Sequence, residues 1–377
     1  MTELRETFTH CDVSAAETSI PQDKELLLRQ MQESMSFNEL NNLIKNAFVE
    51  SSEITADITT AAQDKATSDA YCFYGSFLQF TGQYERAIPL FEQCLAIREN
   101  LFGPEHKLTA QAFFNLASIL KDLGNHYGAL SLFEQSVDIY EKLCGPTSPA
   151  TANALNGLAS LLLDMQRHTE ALPVFQRVVT IRETQKNPSL IATSLTQLGR
   201  LYTDVGNYAE ALPLYTKALQ IIQESKQDSF QALTNLATVY QKMENFVEAK
   251  KLFQQALSQQ TQGIAMATAL SNLGNCLTEM ENFTEALPLQ KQALEIYEQN
   301  LGQSHITVGY SLKSIGETYF LMGKHFEALQ TFEKALDIHE QALGSQDTAT
   351  IEIYDTIALL NKGMKKDDVR KCSVWEY

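Results

Sequence analysis

The sequence predicts an all-α fold: an α-solenoid in which antiparallel helix pairs stack into a right-handed superhelix. Three observations carry that prediction. An alanine inside an "EA-L" pattern or a variant of it recurs at Ala87, Ala129, Ala171, Ala211, Ala249, Ala286 and Ala328, in steps of 42, 42, 40, 38, 37 and 42 residues. Twelve residues before each alanine sits a small residue: Gly75, Ala117, Ala159, Gly199, Ala237, Gly274 and Gly316. Large residues follow both marks, with Leu78, Leu120, Leu162, Tyr202, Tyr240, Leu277 and Tyr319 three after the small residue. Four after the alanine come Phe91, Phe133, Phe175, Tyr215, Phe253, Gln290 and Phe332. A self-similar period of this length is the mark of a repeat architecture.

Within each repeat two apolar stripes at helical spacing are split by a turn. The turns read Thr81-Gly82-Gln83, Leu123-Gly124-Asn125, Val205-Gly206-Asn207 and Met322-Gly323-Lys324, where glycine supplies the positive φ that ends the first helix. The small residue lets the two helices approach, and the alanine and aromatic of the second helix fill the space. One pair cannot bury its apolar face alone, so stacked neighbours must share a core. Pro89, Pro173, Pro213 and Pro288 fall two residues after the alanine, near the first turn of the second helix, where proline costs little.

Leu198-Gly199-Arg200-Leu201-Tyr202 with Ala211 and Tyr215, and Ile315-Gly316-Glu317-Thr318-Tyr319 with Ala328 and Phe332, resemble the tetratricopeptide repeat. The longer period resembles the long repeats of kinesin light chains. The extra residues read Leu101-Phe102-Gly103-Pro104-Glu105-His106, Leu143-Cys144-Gly145-Pro146, Leu301-Gly302-Gln303-Ser304-His305 and Leu343-Gly344-Ser345. They are missing from the shorter fourth and fifth repeats. No sustained heptad is present, so the coiled coil that joins a kinesin light chain to its motor is not expected here.

The chain thus divides into a disordered tail at 1–20, degenerate capping helices at 21–66, about seven repeats at 67–350, and a capping helix with a tail at 351–377. Ser36-Phe37-Asn38-Glu39 is a capping box in the N-terminal cap. Trp375, the only tryptophan, either covers the far end of the stack or belongs to a free C-terminal recognition tail.

Charge and chemistry narrow the function. The net charge of −17 disfavours phosphate backbones and anionic lipid as partners, so neither nucleic acid nor membrane insertion is expected. No apolar run of membrane-spanning length occurs, and Met1–Glu6 lacks the core of a secretory signal. Six cysteines without a C-x-x-C pair read as reduced thiols of a cytoplasmic protein. His126, His168 and His325 share one turn position, where other repeats carry Tyr84, Tyr208, Phe246 and Phe283, and so read as packing residues. No H-E-x-x-H, P-loop or G-x-S-x-G frame is present. The expectation is no catalytic site, no metal and no cofactor.

The resemblance implies that the first helices of the pairs line a concave groove. Side-chain amides both donate and accept, so a ladder of them can pair with the backbone of an extended peptide. Asn115, Gln197, Asn235 and Asn272 form the ladder, flanked by Ser118, Asn156, Thr238 and Asn275. Lys121, Arg200 and Lys313 are the expected anchors for acidic groups, opposed in the same face by Asp69 and Glu317. Family members that grip chaperone C-termini use a set of lysines, arginine and asparagines. Cys72, Ser76, Asn115, Asn153 and Gly157 stand at those places here, without a cation, which argues against that role. The expected function is a scaffold or adaptor holding an extended segment of a partner protein. A self-assembly module working through its convex face or ends, or a peptide-sensing regulator, are the alternatives. Oligomeric state is left open.

Overall fold

The structure is a computed structural model that describes residues 65–259 and 262–363. The expected tail at 1–20, nearly all of the N-terminal cap, and Trp375 lie outside the described residues. Among those described there are fifteen helices and no strands. The described residues divide into two compact bodies, which meet between Asn207 and Tyr208 in the sequence. In the first body the helices are α1 (Lys65–Phe80), α2 (Tyr84–Phe102), α3 (Lys107–Asp122), α4 (His126–Cys144), α5 (Pro149–Asp164), α6 (His168–Gln185) and α7 (Pro188–Asp204). In the second they are α8 (Tyr208–Glu224), α9 (Phe230–Lys242), α10 (Phe246–Leu257), α11 (Ile264–Glu279), α12 (Phe283–Leu301), α13 (Ile306–Leu321), α14 (His325–Leu343) and α15 (Thr348–Asn361). Inside each body every helix packs on the one before and the one after it. The odd-numbered helices also touch across repeats: α1 with α3, α3 with α5 and α5 with α7 in one body, α9 with α11 and α11 with α13 in the other. This is the helix-pair solenoid that the periodicity predicts.

The repeat marks are the core. All seven recurrent alanines are 0% exposed, so no larger side chain fits there without displacing a helix. Phe91, Phe133, Phe175, Phe253 and Phe332 are 0–1% exposed, and each such ring adds about 2–3 kcal/mol by leaving water. A β-carbon on Gly75 or Gly316 would lie 3.0 Å from the ring of Phe91 or Phe332, which is why the small position must be small.

Three features depart from the sequence reading. The prolines sit deeper than the first turn: Pro89 is the sixth residue of α2, so the helix forgoes the bond its N–H would make to the Glu85 carbonyl. Pro173, Pro213 and Pro288 repeat this in α6, α8 and α12. The extra residues of the long repeats are not mainly loop. Leu101-Phe102 and Leu143-Cys144 continue α2 and α4, each of 19 residues, against 12 in α10. The remaining turn is pinned at both ends. Gly103 and Gly145 close the helix at φ 85° and 89°, and the hydroxyls of Thr109 and Thr151 donate to their carbonyls at 2.8 Å. Finally, His106 and His305 act as helix caps. The Nδ1 of each accepts from the backbone N–H two residues on, at the start of α3 and α13.

The polar face of the first helices

The expected groove residues belong to two separate faces. Asn115, Ser118, Lys121, Asn156, Gln197 and Arg200 lie on α3, α5 and α7 of the first body; Asn235, Thr238, Asn272, Asn275 and Lys313 lie on α9, α11 and α13 of the second.

Several are committed to internal contacts. Asn115 is 9% exposed, and its Nδ2 donates to Cys72 Sγ at 3.3 Å. Cys72 in turn lies 3.0 Å from Cys94 Sγ, and that contact chiefly lowers its thiol to about 7 against the opposing cost of burial. Ser118 is buried. Thr238 donates to the Thr234 carbonyl within its own helix, and Asn235 Oδ1 accepts from Gln231 Nε2 at 2.8 Å. Asn275 Oδ1 accepts from Gln290 Nε2 at 3.0 Å. Gln290 stands where other repeats have an aromatic, and it is 1% exposed. Its amide is satisfied by Asn275, Thr278 and Thr318, the last donating to Oε1 at 2.9 Å, so this buried polar group is fully partnered.

The expected anchors are mostly neutralised. Lys313 Nζ is 2.7 Å from Glu352 Oε2, with both side chains largely covered. Arg200 reaches Asp204 at 3.7 Å in an exposed pair. Lys121 makes no ion pair among the described residues. Asp69 pairs with Arg98 at 2.8 Å. Glu317 is desolvated, which pushes its carboxyl up to about 7 despite the nearby Lys313.

Three amides remain unspent. Asn156 Oδ1 and Gln197 Oε1 are buried without a hydrogen-bond partner, and Asn272 makes no side-chain bond among the described residues. Asn156 and Gln197 come together: with Arg182, Leu190, Thr193 and Ser194 they line a dent too tight to hold a water. Beside it, Lys107, Gln111, Phe114, Tyr140, Pro149 and Asn153 help line a cleft of about 510 Å³ in the same body.

Arg182 escapes a reading confined to first helices, because it lies on a second helix. A signal for it does exist in the sequence. Eleven residues after the recurrent alanine stand Arg98, Arg182, Tyr297 and His339, all buried polar residues. Six residues before the small residue of the same repeat stand Asp69, Asn153, Thr268 and Tyr310. Each of the four pairs is in contact: Arg98 with Asp69, Arg182 with Asn153, Tyr297 Oη donating to Thr268 at 3.0 Å, and His339 edge-on to Tyr310 at 4.7 Å.

No cluster of metal-ligating side chains occurs among the described residues, and no helix among them is long and apolar enough to cross a membrane. Stacked helix pairs with a polar face define the class of helical-repeat protein-interaction modules. The chain belongs to the tetratricopeptide repeat family, whose model matches residues 66–126, 109–184, 190–262, 265–325 and 310–368. A search of curated proteins finds no match. Among solved structures, the apo form of RapI is similar at TM-score 0.58 and 16% identity over 72% of this chain and 97% of that one. Aspartyl phosphate phosphatase F from Bacillus subtilis is similar at 0.58 and 16% over 85% and 82%. BtubC (BKLC) from P. vanneervenii follows at 0.50 and 19% over 58% and 92%. At these identities the likeness is one of fold.

Proposed function

We propose that this protein is a non-catalytic scaffold or adaptor that holds an extended segment of a partner protein against its odd-numbered helices. The observation that carries the reading is the pair of unspent amides, Asn156 and Gln197, side by side over the dent in the first body. A buried amide oxygen without a donor costs about 1–3 kcal/mol, and a peptide backbone N–H would recover that. Asn272 offers the same service on the second body. The four cysteines among the described residues are free, which suits a reducing compartment and favours the cytoplasm. The test is binding of the full chain to an array of extended peptides. Asn156→Ala with Gln197→Ala should lower capture about tenfold, with helix content by circular dichroism unchanged. Equal capture by the double variant rules the face out.

One observation favours a second reading, association through the even-numbered helices. Tyr127, Val247 and Phe326 all lie two residues before the recurrent alanine and are 82%, 54% and 68% exposed. Light scattering of Tyr127→Ser and Phe326→Ser variants against the parent chain tests it, and an unchanged monomer in all forms removes it.

A further inference from the structure

Arg98 and Arg182 occupy the same repeat position and are both 2% exposed, yet their surroundings differ residue by residue. Arg98 donates to Asp69 Oδ1 at 2.8 Å, Ser68 Oγ at 3.3 Å, the Leu108 carbonyl at 2.9 Å and Gln111 Oε1 at 3.3 Å. At the corresponding places around Arg182 stand Asn153, Ala152, Leu190 and Thr193. The acid has become an amide, the serine hydroxyl is gone, and the second amide has become a threonine that makes no bond to the guanidinium. What remains is Asn153 Oδ1 as one acceptor and Gln185 Oε1, at 2.9 Å, as another. Both are neutral, and Arg182 has no ion pair among the described residues. Burial alone acts on its charge, lowering its pKa, whereas Asp69 compensates Arg98. A guanidinium does not deprotonate to escape burial, so an uncompensated one is costly.

The groups above this charge are equally unsettled. Gln185 Nε2, Asn156 Oδ1 and Gln197 Oε1 are buried and without partners. Neither Asn156 nor Gln197 makes any side-chain hydrogen bond among the described residues, so swinging either aside breaks nothing. The dent is closed over the guanidinium as they stand, and both are only half-buried. Outward movement of the two amides would open the dent they share with Arg182, whose guanidinium lies against the Gln185 amide.

We infer that Arg182 is an anion subsite, taking a carboxylate from a bound peptide onto its guanidinium and the Gln185 amide, with Asn156 and Gln197 as the movable cover. The carboxylate replaces the counter-charge that Asp69 supplies to Arg98. The inference rests on the peptide-binding reading for the identity of its occupant, not for the subsite itself.

The test follows the Arg182 side-chain Nε–H resonance of the full-length chain during titration with three probes. N-acetyl-aspartic acid α-amide presents a side-chain carboxylate, N-acetyl-asparagine a terminal one, and N-acetyl-asparagine α-amide none. A saturable shift with either carboxylate and none with the neutral amide is the expected result, and the more potent of the two identifies the source. Asn153→Asp, which installs internally the acid found at Asp69, should weaken the carboxylate response about tenfold. Absence of a shift with both carboxylates, an equal shift with the neutral amide, or an undiminished response in folded Asn153→Asp overturns the subsite. If Asn153→Asp does not fold, the parent chain's discrimination between carboxylate and amide decides alone. A carboxylate response in a protein that captures no peptide on the array leaves the subsite standing and removes the peptide reading. Peptide capture without a carboxylate response does the reverse.

Discussion

Two charged residues show how burial sets behaviour one side chain at a time. Asp69 is half exposed while its partner Arg98 is almost wholly covered, so removing the acid strands a buried cation. Asp69→Asn should therefore cost about 1–2 kcal/mol in chemical denaturation, less than a fully buried pair because solvent screens the carboxylate. Glu317 behaves in the opposite sense. Its folded carboxyl holds a proton up to about pH 7, where the unfolded chain has already released it. Stability should fall as pH rises from the ordinary carboxylate range to about 7 and then level off. Glu317→Gln should flatten that slope and stabilise the protein at pH 8 by on the order of 2 kcal/mol. A melting-temperature series against pH for both proteins measures it, and parallel curves would refute the assignment. At this scale the sequence is least legible. Asn275 sits at a groove position by spacing, but Gln290 claims it, and no single-repeat pattern reveals that claim. Arg182 is invisible to any pattern drawn from first helices alone, although the pairing of its position with that of Asn153 is written in four repeats.

Elements are far more legible, because helix periodicity and glycine turns are local signals. Gly82, Gly124, Gly206 and Gly323 all adopt φ of 75–78°, as the turn requires. Three repeats lack that glycine and still make the same turn with Gln166, Glu244 and Glu281, at φ 58–60°. An L-residue there pays a steric cost that glycine avoids. Replacing each by Gly should stabilise the chain by about 0.5–1 kcal/mol, against the usual direction of such a change in a helix. Urea midpoints of the three single variants check this. The turn prolines mark the limit of local reading. Their distance from the alanine is plain, but the helix start lies earlier than the hydrophobic stripe suggests, so Pro89 falls in the second turn.

For the molecule as a whole, the period tells the architecture and composition tells little. Length alone suggests two or three globular domains; the repeats replace that count with serial helix pairs, each bonded mainly to its neighbours. Such a chain should not unfold as one block. Its urea transition should be broader than expected for 377 residues unfolding together, and hydrogen exchange should resolve segments of unequal protection. A single sharp transition with uniform protection would contradict the serial picture.

The cluster of Gln290, Asn275, Thr278 and Thr318 has a consequence for modularity. Most joints between repeats are filled by a phenylalanine ring, which grips any neighbour of the right size. This joint is keyed: Asn275 and Thr278 of its own repeat take the amide N–H, and Thr318 of the next repeat donates to the amide oxygen. Repeats carrying Phe91 or Phe133 should tolerate being duplicated or exchanged by recombination. The repeat carrying Gln290 should not, since a new neighbour lacking Thr318 would leave the amide oxygen without its donor. One residue thus gives an otherwise interchangeable series a fixed place in its order.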